Sequence, residues 1–199
     1  LTGPDGEPVN HQYSKSQAFE NDFREMIHRE VSENGDYFSL LRPYKELAIA
    51  DRFSRLEQYH DVFSSCNRNF HLDGSRTRGR WCGSCPKCRF TALALAPQLQ
   101  PEQLAALMGT DILGRADQEE GFRALCRLGV EKPFECVGSV DESRAAMLYL
   151  ASLPAWKGRL LVRKLAAELS ATQVPAFDHL LAFRGPHNIP AQVHGHASF

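Results

Sequence analysis

No run of apolar residues in this 199-residue chain approaches the roughly 18 needed to cross a bilayer. Its first ten residues, LTGPDGEPVN, carry neither a basic region nor an apolar one, so no export signal is read there. Excess charge of one sign is missing too: 23 Lys+Arg stand against 24 Asp+Glu, which argues against a general polyanion binder. There is no internal repeat and no low-complexity tract, and with 43% hydrophobic residues the composition excludes disorder and collagen-like architecture. These absences predict a soluble, cytoplasmic protein without a membrane partner, long enough for one domain with a sizeable core. A start on Leu1 and a turn-rich TGPDGEP opening predict a fragment of a longer protein.

What is present alternates. Residues 1 to 13 read as loop, and a helix is predicted from Ser14, which with Gln17 has capping-box spacing, through Phe19, Phe23, Met26, Ile27 and Val31, with Asn34 and Gly35 ending it. Tyr37 to Leu41 and Val62-Phe63 read as short buried strands, and Leu47, Ala50, Phe53 and Leu56 mark a helical stripe between them. Helix and strand in alternation predict an α/β fold for residues 1–65. Helices are predicted at Phe90 to Leu99, Pro101 to Met108, Gln118 to Leu128, Asp141 to Ser152 and Trp156 to Ser170, with Gly109 and Gly129 as C-caps. The tail from Pro186 to Phe199 is predicted to be loosely ordered surface.

Six cysteines stand at 66, 82, 85, 88, 126 and 136, three of them in Cys82-Gly-Ser-Cys85-Pro-Lys-Cys88. A C-x2-C spacing lets two thiolates grip one ion through a tight knuckle, and Cys66 supplies a fourth ligand, giving a tetrahedral site for structural Zn2+. An iron-sulfur cluster is the alternative for the same spacing, and free or redox-sensing thiols are a third reading. Cys126 falls on an apolar helix face and reads as a small core residue. Between Arg68 and Arg89 the chain is locally basic, with Asp73 the one acid.

Longer motifs carry a resemblance. Ser64-Ser-Cys-Asn-Arg-Asn-Phe-His71, Arg80-Trp-Cys-Gly-Ser-Cys-Pro-Lys-Cys88, Ala94-Leu-Ala-Pro97 and Pro133-Phe-Glu-Cys-Val-Gly138 resemble the C-terminal part of the MurL family, together with Val9 to Lys15 and Tyr37 to Pro43 upstream. These are UDP-N-acetylmuramoyl-L-alanyl-L-glutamate epimerases of peptidoglycan synthesis. More distantly, CGxCxxC resembles the PP-loop ATPases, such as queuosine-precursor synthases and tRNA-thiolating enzymes. The resemblance implies the C-terminal part of a PP-loop (HUP-like) core in residues 1–65, a four-cysteine knuckle and helix in 66–98, and a helical region in 99–199.

It further implies an ATP- and Mg2+-dependent isomerase inverting the terminal L-glutamate of UDP-MurNAc-L-Ala-L-Glu, coupled functionally to a ligase that adds L-Glu to UDP-MurNAc-L-Ala. The glycine-rich phosphate loop of PP-loop enzymes has no counterpart in the sequence, so the chain alone is predicted to be inactive. Asn10, His11 and Lys15, ahead of a helix start, are candidates to receive phosphate or carboxylate, as is the planar fork of Arg42. Asn67, Arg68 and Asn69, in a loop that a metal would hold rigid, are candidate substrate contacts. His71 and Cys136 are candidate proton carriers, against solvated-loop and structural roles for each. Glu142, in a first helical turn, has a structural explanation in the helix dipole. A second function stays open: a zinc knuckle whose basic stretch grips RNA, although Trp81 and Phe90 alone offer stacking surface and nucleic acid is the weaker fit.

Overall fold

The computed structural model describes residues 13–69, 79–182 and 184–193. These divide between two compact units, one within Leu1–Pro43 and Arg184–Phe199, the other within Tyr44–Phe183. No described helix is long and apolar enough to cross a membrane.

The first unit is organised by α1 (Gln17–Glu30). Its N-cap is Ser16, whose hydroxyl accepts the Phe19 N–H at 3.1 Å, while Ser14 sits in a preceding 3-10 turn, Tyr13–Lys15. Phe19 stacks on Phe23, and Phe23 meets Tyr37 edge-on at 4.8 Å. On the same helix Glu20 is fully buried, and four donors converge on its carboxylate: Ser39 N–H, Nε and Nη2 of Arg42, and Asn188 Nδ2. The described part of the tail is therefore anchored, with Arg24 also donating to the Asn188 carbonyl at 2.8 Å and Ile189 buried.

The second unit is built around α3 (Pro86–Leu95), with Cys88, Phe90, Ala92, Leu93, Ala94 and Leu95 all buried. A helix apolar on nearly every side belongs in the middle of a core, and its alanines let neighbours approach closely. Packed on it are α2 (Glu46–Ser54), α4 (Pro101–Met108), α5 (Glu119–Leu125) and α6 (Val140–Ser152), with α7 (Leu160–Leu169) and α8 (Phe177–Ala182) against α6. Gly109 and Gly129 adopt left-handed backbone at φ +72° and +68°; Gly109 is the C-cap of α4, whereas α5 ends earlier than predicted with Cys126 as its C-cap, and Gly129 turns the chain further on. Cys126 is fully buried one position past α5, and burial pushes its thiol up to about 12.

No strand occurs among the described residues, which overturns the α/β expectation and the PP-loop-like core placed in residues 1–65. Short apolar runs fit several structures equally well, and burial decides between them. Tyr37, Leu40 and Leu41 are 39%, 43% and 47% exposed, and a turn bond from Arg42 N–H to the Ser39 carbonyl closes that segment. Val62 is 74% exposed, and its N–H bonds the Tyr59 carbonyl.

Candidate metal knuckle and adjoining cavity

Cys66, Cys82, Cys85 and Cys88 converge, their sulfurs all within 4.8 Å of one another. Each is placed by local structure. Cys85 is the N-cap of α3, with its Sγ accepting the Cys88 N–H at 3.4 Å, and Pro86 opens the helix where its missing N–H costs nothing. Gly83 turns the loop at φ +67°, and a Cβ there would press to 2.9 Å from the Thr110 methyl. Cys66 is held by its own N–H to Ser64 Oγ, and Ser64 Oγ–H in turn bonds the Arg80 carbonyl at 2.6 Å.

Backbone amides surround the sulfurs. Cys82 N–H donates to Cys66 Sγ, Ser84 and Cys85 N–H to Cys82 Sγ, and further donors reach Cys66 from Arg68, Cys85 from Asn67 and Cys88 from Gly83. Such donors stabilise thiolates without supplying a proton. A hydrogen bond between the Cys85 and Cys88 sulfurs pulls the Cys85 thiol down to about 4 and pushes the Cys88 thiol up. Burial raises Cys66. Four sulfurs this close cannot all carry charge unaided, whereas a divalent cation makes four thiolates compatible.

The donor set fits one ion. Four ligands at about 2.3 Å in a tetrahedron stand about 3.8 Å apart; Cys82 and Cys88 are 3.7 Å apart, and Cys85 and Cys88 3.4 Å.

Asn67 Nδ2 donates to Glu135 Oε2 at 2.6 Å, so the loop after Cys66 meets the 133–138 segment. The Glu135 carboxyl is raised by burial and by the nearby Cys85. Cys136, half-buried, is the centre of a tight turn in which Val137 N–H bonds the Glu135 carbonyl at 2.8 Å. Asn69 Nδ2 donates to the Gly79 and Arg80 carbonyls, bridging the two sides of the 70–78 segment, and Arg68 is exposed. A cavity of about 300 Å³ opens beside the knuckle, lined by Arg80, Trp81 and Cys82 on one side and by Gly109, Thr110 and Arg115 on the other.

Residues 62–180 match the MurL C-terminal domain and residues 2–40 the MurL N-terminal domain. The chain belongs to the MurL family. It is 44% identical over 185 residues to the UDP-N-acetyl-alpha-D-muramoyl-L-alanyl-L-glutamate epimerase of Xanthomonas oryzae pv. oryzae, covering 92% of this chain and 41% of that protein. Relatives of the same name in a Micromonospora species and in Salinispora tropica are 40% and 42% identical, covering 93% and 81% of this chain but 41% and 35% of their own lengths. The chain thus spans about two fifths of the length of the curated relatives it matches. No solved structure matches it.

In this MurL chain the structure gathers Asn67 and Asn69 with the four cysteines, and Asn67 with the turn carrying Cys136. Arg42 and the exposed Lys15 meet elsewhere, in the first unit, where Arg42 donates to the Lys15 carbonyl and bonds Glu20. Asn10, His11 and His71 lie outside the described residues. Sequence reasoning missed Thr110 and Arg115, which come to the knuckle from α4's far end. The one local signal was Gly109, a stop marker that also turns the chain toward Gly83.

Proposed function

We propose that the chain is part of an epimerase inverting the terminal L-glutamate of UDP-MurNAc-L-Ala-L-Glu for cell-wall synthesis in the cytoplasm. The observation that carries this is 44% identity across 92% of the chain to a relative bearing that enzyme's name. It favours the epimerase over an RNA-gripping knuckle, for which no observation speaks.

The chemistry calls for activation. A free carboxylate resists loss of its α-hydrogen, because the enolate would place a second charge beside the first. Joining the carboxylate oxygen to the α-phosphorus of ATP, with Mg2+ and release of pyrophosphate, removes that charge and acidifies the Cα–H. A base then takes the proton, an acid returns one to the opposite face, and water cleaves the acyl-phosphate bond to release AMP and the D-glutamate product. Cys136 and His71 are our candidates for the proton carriers, Asn67, Arg68, Asn69, Asn10, His11 and Lys15 for substrate contacts, and Arg42 for holding the Lys15 turn.

In this reading Cys66, Cys82, Cys85 and Cys88 hold structural zinc, which supplies rigidity through a closed ligand shell with no position for a reacting water. Fixing the N-cap of α3 fixes the Asn67 loop and Gly83 together. The test uses protein of the relatives' full length carrying this chain, incubated with UDP-MurNAc-L-Ala-L-Glu in D2O. Deuterium entering Cα only when ATP and Mg2+ are present, with AMP in step with D-glutamate, supports the reading. Exchange without ATP, or no inversion at all, refutes it.

A further inference from the structure

The cavity beside the knuckle has a chemistry the metal does not use. Its lining includes two arginines, Arg80 and Arg115, and no acidic residue. Arg80 is fixed by Nη1 to the His60 carbonyl at 2.6 Å, and its ion-pair partner Asp61 is 96% exposed. Arg115 is held in a fork by Asp117, itself 58% exposed, and donates through Nη1 to Thr110 Oγ1 at 3.3 Å. Each guanidinium carries five N–H groups, so both keep donors for a further acceptor, and the Thr110 hydroxyl, accepting from Arg115, has its own proton to give. Trp81, 8% exposed, also lines the cavity, and its indole N–H is buried without a hydrogen-bond partner among the described residues.

We propose that this cavity is the subsite that receives the anionic end of the substrate, a carboxylate or phosphate group held between Arg80 and Arg115 with Thr110 donating. The proposal rests on the epimerase reading for the identity of that substrate. Planar forks match either anion through paired N–H donors. At about 300 Å³ the cavity takes one end of a sugar-nucleotide dipeptide and not the whole. The contact between Gly83 and the Thr110 methyl makes the metal knuckle one wall, so ordering the four cysteines also fixes the separation of the two cationic sides.

The experiment is calorimetric titration of the purified, metal-loaded chain with UDP-MurNAc-L-Ala-L-Glu, UDP-MurNAc, the free L-Ala-L-Glu dipeptide and pyrophosphate. Arg115→Ala is the main variant, because that side chain is exposed and carries no part of the core; Thr110→Val keeps the methyl against Gly83 and removes the hydroxyl. Arg115→Ala is expected to weaken the nucleotide dipeptide about tenfold or more, and Thr110→Val a few-fold, with zinc content and far-ultraviolet circular dichroism unchanged. A loss confined to the two peptide-bearing probes assigns the cavity to glutamate carboxylates; a loss shared by UDP-MurNAc and pyrophosphate assigns it to the diphosphate. Equal affinities in wild type and Arg115→Ala, or no binding of any probe by wild type, overturn the proposal. Arg115-dependent binding without inversion by the full-length protein would leave the subsite standing and remove the epimerase, while inversion with an Arg115-independent KM would do the reverse.

Discussion

Glu142 Oε1 accepts the backbone N–H of Leu47 at 3.1 Å, across 95 residues of chain. Its Oε2 accepts the N–H and hydroxyl of Ser139, each at 2.9 Å, while Ser139 Oγ accepts the Glu142 N–H. One buried carboxylate thus closes the capping box of α6 and satisfies an otherwise unpaired donor in the first turn of α2. Glu142→Ala leaves the buried Leu47 N–H without its acceptor and opens the capping box, and is expected to cost about 3 kcal/mol, with Glu142→Gln, which keeps an acceptor oxygen, costing clearly less. Urea denaturation measures both. Equal stabilities for wild type and Glu142→Ala would mean the bridge contributes nothing.

The knuckle predicts one bound ion per chain. Since Cys85 caps the central helix, replacing any of Cys66, Cys82, Cys85 or Cys88 by Ser should remove the ion and lower the melting temperature, because metal binding here is folding free energy. Cys126→Ala should keep the metal. Elemental analysis decides: zinc at one equivalent, lost in the four variants, is the expected pattern, and several irons per chain with labile sulfide would overturn the single-ion reading.

The knuckle was legible because its chemistry is a spacing: C-x2-C in sequence fixes which sulfurs can meet. Helices with clear periodicity were legible on the same ground, and Gly109 marked the end of α4 because few other residues tolerate its φ. Strands at Tyr37 to Leu41 and Val62-Phe63 were misread, since a short apolar run says nothing of whether its neighbours will cover it. The Arg80 and Arg115 cavity was not legible at all. It depends on residues 79–82 meeting residues 106–115, a juxtaposition that no local pattern encodes.

Cys126 gives a pH signature independent of the metal. Its thiol is held neutral by burial, with a folded pKa of about 12 against 9.0 for a free thiol. The folded state therefore retains a proton that the unfolded state releases, so this stability is fully present below pH 9 and is lost as pH rises toward the folded value. Between pH 8 and 10.5 the contribution should fall by about 2 kcal/mol. Lysines and tyrosines titrate in the same range, so the measurement is the difference between wild type and Cys126→Ala. The variant should lose about 2 kcal/mol less across that interval, and parallel pH profiles would mean the Cys126 thiol ionises freely in the fold.

Arg42 carries the last prediction. Its Nε and Nη2 bond Glu20 Oε2 at 3.2 and 3.1 Å, and the Glu20 carboxylate is fully buried. Among the described residues, removing the guanidinium leaves that charge with Ser39 N–H and Asn188 Nδ2, and breaking a buried pair from one side costs about 3 to 5 kcal/mol. Arg42→Ala should therefore unfold the first unit at lower urea, well before any contact with substrate is considered. Glu20→Gln with Arg42→Met removes both charges while keeping side-chain volume and an amide for Ser39 and Asn188. It should recover most of the loss, so the double-mutant cycle gives a large coupling energy. In protein of the relatives' full length carrying both substitutions, recovery of stability together with the rate of the proposed epimerisation identifies Arg42 as a brace for the Lys15 turn. A stable double variant whose kcat stays tenfold or more below wild type would instead put the Arg42 guanidinium on the reacting substrate.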